Sequence, residues 1–87
     1  MNLCILGVTG SIGIQTLDVI RNNSDFNVLS VTCNTNLRML QEIIIEFQPS
    51  YVSIGRKEDI DGLKNMFPDV EFGYGNVGLI EAATYPS

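Results

Sequence analysis

An α/β protein built on a parallel sheet is what this sequence predicts, on three observations. Short, continuously apolar runs alternate with longer stretches of helical period. A glycine-rich turn, Gly7-Val8-Thr9-Gly10-Ser11-Ile12-Gly13, joins the first such run to the first helical stretch. The order strand–helix–strand–helix–strand is the order of parallel neighbours, because each parallel pair needs a crossover and the crossover is usually a helix.

Each element follows from its residues. Asn2 to Leu6 reads as a strand buried on both faces. Ile12 to Asn22 reads as a helix, with Gly13, Thr16, Leu17 and Ile20 on one face. The cluster Asn22-Asn23-Ser24-Asp25 is a turn, and Phe26 to Thr32 a second buried strand. Asn36 to Phe47 is a second helix, striped by Leu40, Ile43, Ile44 and Phe47, with Pro49 closing the connection. Tyr51 to Ile54 is a third strand ended by Gly55, and Glu58 to Met66 a weaker helix stopped by Pro68. Val70 to Phe72 is a short fourth strand. After the loop Gly73-Tyr74-Gly75, Val77 to Ala83 is a last apolar helix. The whole is a three-layer, Rossmann-type sheet, represented by its first βαβαβ half. Tyr85-Pro86-Ser87 follows a helix that should deliver another central strand, so the sequence reads as truncated.

Composition narrows the function. Of 87 residues, 45% are apolar and 17% charged, which excludes a disordered or low-complexity chain. Ten acids against five bases give a net charge of −5 and argue against a nucleic-acid or anionic-membrane surface. A bound phosphate would therefore be held mainly by backbone N–H groups. There is no histidine, which removes the commonest general base, the commonest zinc ligand and every serine–histidine or cysteine–histidine pair. Cys4 and Cys33 both sit in apolar runs and read as buried, reduced thiols. The N-terminus lacks the basic flank of a signal peptide, and no run approaches the roughly 20 apolar residues of a membrane span, so a cytoplasmic location is expected.

The glycine loop holds most of the information. Gly7 suits a tight strand-to-helix turn, Gly10 leaves room for a diphosphate against the backbone, and Gly13 lets the first helical turn pack closely. Free N–H groups at the helix start, Ile12 among them, would hold the diphosphate, with Thr9 and Ser11 adding hydroxyls. The alternative is a purely structural turn with Ser11 as helix cap. After the second strand, Thr32-Cys33-Asn34-Thr35-Asn36 contains no acid to bind a ribose 2′-hydroxyl, so NADPH is expected over NADH. Arg38 is the one nearby cation for a 2′-phosphate, and Asn34 to Asn36 also suit a helix cap. Arg56-Lys57 reads as a solvated loop, and Asp59 with Asp61 is too little for a metal site. No catalytic residue is evident. A P-loop is excluded because no Gly-Lys-Ser/Thr follows the glycines. A receiver-type signalling module would need acids where the strands here end in Gly7 and Gly55.

The string Leu6-Gly-Val-Thr-Gly-Ser-Ile-Gly-Ile-Gln-Thr-Leu-Asp-Val-Ile20 resembles the N-terminal signature of the 1-deoxy-D-xylulose 5-phosphate reductoisomerases. The resemblance continues through Phe26 to Val31, Glu46-Phe47-Gln48-Pro49 and Gly78 to Ala83. It implies an NADPH- and divalent-metal-dependent enzyme of isoprenoid biosynthesis, dimeric and formed with the remainder of a longer chain, which yields 2-C-methyl-D-erythritol 4-phosphate. It also implies nucleotide contacts at Thr9, Gly10, Ser11 and Ile12 and at Asn34, Thr35 and Asn36. Asn34-Thr35 departs from the glycine and lysine common there, and only Asn36 is kept. The metal ligands, Mg or Mn, lie beyond these residues in that family. Residues 1–87 are thus expected to be the N-terminal part of an NADPH-binding domain, inactive alone. The rival is another NADP-dependent reductase sharing the loop.

Overall fold

The computed structural model describes residues 1–85. The final Pro86-Ser87, where the sequence reads as broken off, lies outside the described residues. Four strands, β1 (Asn2–Ile5), β2 (Asn27–Thr32), β3 (Tyr51–Ile54) and β4 (Glu71–Tyr74), form one sheet in the order β1-β2-β3-β4. Every neighbouring pair is parallel. Three crossovers make this possible: α1 (Ser11–Arg21), α2 (Leu37–Phe47) and a 3-10 turn at Lys57–Asp59 leading into α3 (Ile60–Met66). A last helix, α4 (Gly75–Ala83), follows β4 directly.

Alternation along the strands sorts side chains into two layers. Val31, Val52 and Ile54 join Leu17 and Ile20 of α1, Leu40, Ile43 and Ile44 of α2 and Leu63 of α3 in one apolar core. Each such fully buried aliphatic side chain contributes about 1.5–3 kcal/mol by leaving water. The other face is polar where α4 lies on it. Ser30 Oγ donates to the Ala82 carbonyl at 2.6 Å, and Tyr51 Oη donates to Glu81 Oε2 at 2.8 Å. The helix thus runs from β4 back across β3 towards β2.

Four expectations need correction. β1 is not buried on both faces: it is an edge strand in which only Ile5 is buried, because α4 stops short of it. Cys4 is consequently exposed, and only Cys33 is buried. The third helix begins as a 3-10 turn rather than at Glu58. The loop Gly73-Tyr74-Gly75 does not exist, since β4 runs through Tyr74 and α4 starts at Gly75. Gly73 is there for packing, because a Cβ on it would overlap the Tyr51 hydroxyl.

Candidate functional site

The turn from β1 to α1 is fixed from below by β2. Gly7 has φ +65°, a conformation that only glycine adopts without strain. Its N–H donates to Thr32 Oγ1 at 2.7 Å, and the Val8 N–H donates to the Thr32 carbonyl at 2.8 Å. Gly10 then folds back, its N–H on the Gly7 carbonyl at 3.0 Å, and serves as the extended N-cap of α1. Having no side chain, it cannot cap the helix, and no acid stands in the first turn. The amides of Thr9, Ser11, Ile12 and Gly13 therefore have no acceptor among the described residues. This is the arrangement in which a helix N-terminus takes an anion. Gly13 is indispensable to it: an added Cβ would lie 2.8 Å from Val8 Cα. Its close approach is thus to the loop backbone itself.

The second wall is the turn from β2 to α2. The Cys33 N–H donates to the Ser53 carbonyl at 2.9 Å and the Gly55 N–H to the Asn34 carbonyl at 3.2 Å. A side chain on Gly55 would collide with that of Asn34, so glycine is what lets this turn lie against β3. Asn36 caps α2, its Oδ1 accepting from the Met39 N–H at 3.2 Å. The capping role is therefore real, and the side-chain amide remains available to a ligand. Arg38 is exposed, the second residue of α2, and no salt bridge involves it among the described residues. No Asp or Glu occurs between Thr32 and Gln41.

Cys33 ties the two turns together. Its thiol donates to the Asn36 carbonyl at 3.5 Å and lies 3.7 Å from Thr9 Oγ1. Burial pushes this thiol's pKa up, which keeps the proton that the Asn36 contact needs. The Thr9 hydroxyl is thus drawn towards the Cys33 sulfur, and either atom can donate in that contact.

The carboxyl ends of β1, β2 and β3 border an open cleft of about 550 Å³, lined by Gly7 alone of the glycine loop and by Gly75, Asn76 and Leu79 of α4. Leu6, Gly7, Thr32, Asn34, Ile54 and Asn76 contribute to its walls. Parallel sheets bind their ligands at this edge. A groove of about 540 Å³ at the opposite edge is lined by Ile44, Gln48, Met66 and Phe67, at the C-terminal ends of α2 and α3. Helix C-termini carry partial negative charge, so that groove is unsuited to a phosphate.

Gly7, Thr9, Gly10, Ser11, Ile12 and Gly13 thus lie in one turn, and Asn34, Thr35, Asn36 and Arg38 in or just after the next. Thr32, Cys33 and Gly55 were not singled out as site residues. Thr32 reads as the end of the second strand, Cys33 as a buried thiol, and Gly55 only as the end of the third strand. Arg56 pairs with Glu58 at 3.1 Å on the exposed surface, in keeping with a solvated loop. Among the described residues no three His, Cys, Asp or Glu side chains come together to hold a metal ion. The described residues do not fit a divalent cation. No described helix is long and apolar enough to cross a membrane.

Comparison with known proteins fits this geometry. The sequence pattern of the 1-deoxy-D-xylulose 5-phosphate reductoisomerases matches residues 3–87. The chain belongs to that family. A reductoisomerase of Lachnospira eligens is 49% identical over 88 residues, covering 99% of this chain and 23% of that relative. One from Shouchella clausii is 49% identical, covering 95% of this chain and 22% of its own length. Among solved structures, a reductoisomerase in complex with NADPH, fosmidomycin and magnesium superposes with a TM-score of 0.90 at 28% identity. It is covered over 22% of its length by the whole of this chain. The Zymomonas mobilis reductoisomerase in complex with NADPH gives 0.85 at 32% identity, over 97% of this chain and 23% of its own. The chain therefore spans less than a quarter of the length of these relatives. The three-layer parallel fold and the resemblance read from Leu6 to Ile20 are both upheld. Membership of this family also sets aside the receiver-type module and the unrelated reductase.

Proposed function

We propose that residues 1–87 form the N-terminal part of an NADPH-binding Rossmann domain and grip the adenosine and diphosphate of that cofactor for a reductoisomerase. The observation that carries this reading is the set of four unpartnered amides at Thr9, Ser11, Ile12 and Gly13, beside a β2–α2 turn free of acids. The diphosphate lies on the first turn of α1, over Gly10, where no side chain intervenes. Asn34, Thr35 and Asn36 face the ribose, and Arg38 pairs with the 2′-phosphate. The NADPH bound in the related structures supports the choice of nucleotide.

The reaction belongs to the longer protein: 1-deoxy-D-xylulose 5-phosphate is rearranged and reduced by NADPH to 2-C-methyl-D-erythritol 4-phosphate, with a divalent metal held elsewhere. That protein is a cytoplasmic homodimer in this reading, and it engages neither nucleic acid nor membrane. The present chain supplies no catalytic group and is inactive alone. Calorimetric titration of the folded chain should give saturable binding of NADPH that ADP competes away. A folded chain that takes up neither nucleotide overturns the reading.

A further inference from the structure

The residue that shapes the anion site is outside the glycine loop. Thr32, at the end of β2, is 4% exposed, yet both its oxygen acceptors are committed to the loop. Its side-chain oxygen takes the Gly7 N–H at 2.7 Å and its carbonyl takes the Val8 N–H at 2.8 Å. With these two consecutive amides held on β2 and the Gly10 N–H on the Gly7 carbonyl, the amides of Thr9, Ser11, Ile12 and Gly13 are the ones left without an acceptor among the described residues. The carbonyl bond would survive any substitution, because it is main chain. The side-chain bond would not, and it falls on the residue at φ +65° that starts the turn.

The hydroxyl has a second capacity. A threonine oxygen that accepts a hydrogen bond still carries one proton of its own. That proton has no acceptor among the described residues, and Thr32 lines the 550 Å³ cleft. We infer that Thr32 is a positioning residue for diphosphate binding: it holds Gly7 so that the four loop amides converge on the anion. This rests on the nucleotide-binding reading above, and its test separates the two. Isosteric Thr32→Val keeps shape and loses the acceptor, while Thr32→Ser keeps the acceptor.

The experiment compares both variants with the parent chain by amide NMR, first without ligand and then titrated with ADP and with adenosine 2′-monophosphate. In Thr32→Val the Gly7 amide should exchange faster with water, and the Thr9 to Gly13 resonances should shift or broaden while the remaining peaks stay dispersed. ADP should bind about three- to tenfold more weakly, the value of one hydrogen bond. Adenosine 2′-monophosphate, which lacks the diphosphate, should bind as before, and Thr32→Ser should behave as the parent. A merely structural threonine would lower melting temperature and weaken both ligands alike, which overturns the inference. Unaltered Gly7 to Gly13 amides in Thr32→Val overturn it too. If the parent binds neither ligand yet those amides respond to Thr32→Val, the nucleotide reading and the diphosphate role fail together, and only the hold on the turn stands.

Discussion

Two strand-to-helix junctions in this chain are rich in glycine, and they are used in opposite ways. At β1–α1 the spacing is G-x-x-G-x-x-G, from Gly7 to Gly13; at β4–α4 it is G-x-G-x-x-G, from Gly73 to Gly78. Each contains one glycine at strongly positive φ, +65° at Gly7 and +64° at Gly75. The second spacing is the one usually taken as the dinucleotide fingerprint. Yet there two of the three missing side chains are filled from within, and only Gly75 faces open space. The Tyr51 hydroxyl occupies the place of a Gly73 side chain, and Ser53 Oγ that of a Gly78 side chain. At β1–α1 only Gly13 is used for packing, and nothing but the Gly7 carbonyl, at 3.3 Å, would touch a Cβ on Gly10. A glycine pattern states that side chains are absent. Whether a ligand or a neighbour takes the space is decided by the rest of the sheet.

The comparison can be broken most violently at its packing glycines. Gly73→Ala sets a methyl against a buried tyrosine ring, and Gly13→Val sets a larger group against main chain. Each should cost about 3 kcal/mol or more in urea unfolding. Among these glycines, Gly10 is the one that should separate binding from stability. Gly10→Val should weaken NADPH binding by about a hundredfold, with thermal unfolding within a few degrees of the parent. Unchanged affinity would remove the diphosphate from this turn.

Alkaline pH acts on both junctions, through Tyr51 at one and Cys33 at the other. Tyr51 is buried beneath α4 and its pKa is pushed far up, first by burial and then by its bond to Glu81. Burial raises Cys33 in the same direction. A raised folded-state pKa stabilises fully below the unfolded value and loses that contribution as pH climbs towards the folded one. Stability should thus begin to fall above about pH 8.5, the ordinary thiol range, and fall further above about pH 10, the ordinary tyrosine range. Tyr51→Phe should abolish the second decline in denaturation midpoints and leave the first. The smallest effect expected is at the ribose turn. Arg38→Ala should narrow the NADPH-over-NADH preference by about three- to tenfold, as one exposed charged contact would. Equal losses for both nucleotides would make Arg38 a general charge instead.

Much of this was legible in the residues themselves. The helices were evident from the stripes Leu17-Ile20 and Leu40-Ile43-Ile44, and the first turn from three glycines placed between a strand and a helix. What escaped was set by partners distant in sequence. β1 reads as a buried strand because its composition is apolar, but its exposure depends on where α4 ends. Gly73 reads as a turn residue because glycine breaks elements, while its reason is Tyr51, 22 positions earlier, taking the space a side chain would need. Thr32 and Cys33 have ordinary strand residue types, and their grip on Gly7, Thr9 and Asn36 exists only once β2 lies beside β1.

The central claim is that the anion site is the β1–α1 turn and not the β4–α4 junction that carries the better-known spacing. An amide NMR titration of the chain with NADPH tests it directly. The largest shifts should fall on Thr9 to Gly13, with Asn34 to Asn36 next and Gly73 and Gly78 unmoved. A well-dispersed spectrum whose shifts centre on Gly73 to Gly78, with Thr9 to Gly13 still, would contradict the account.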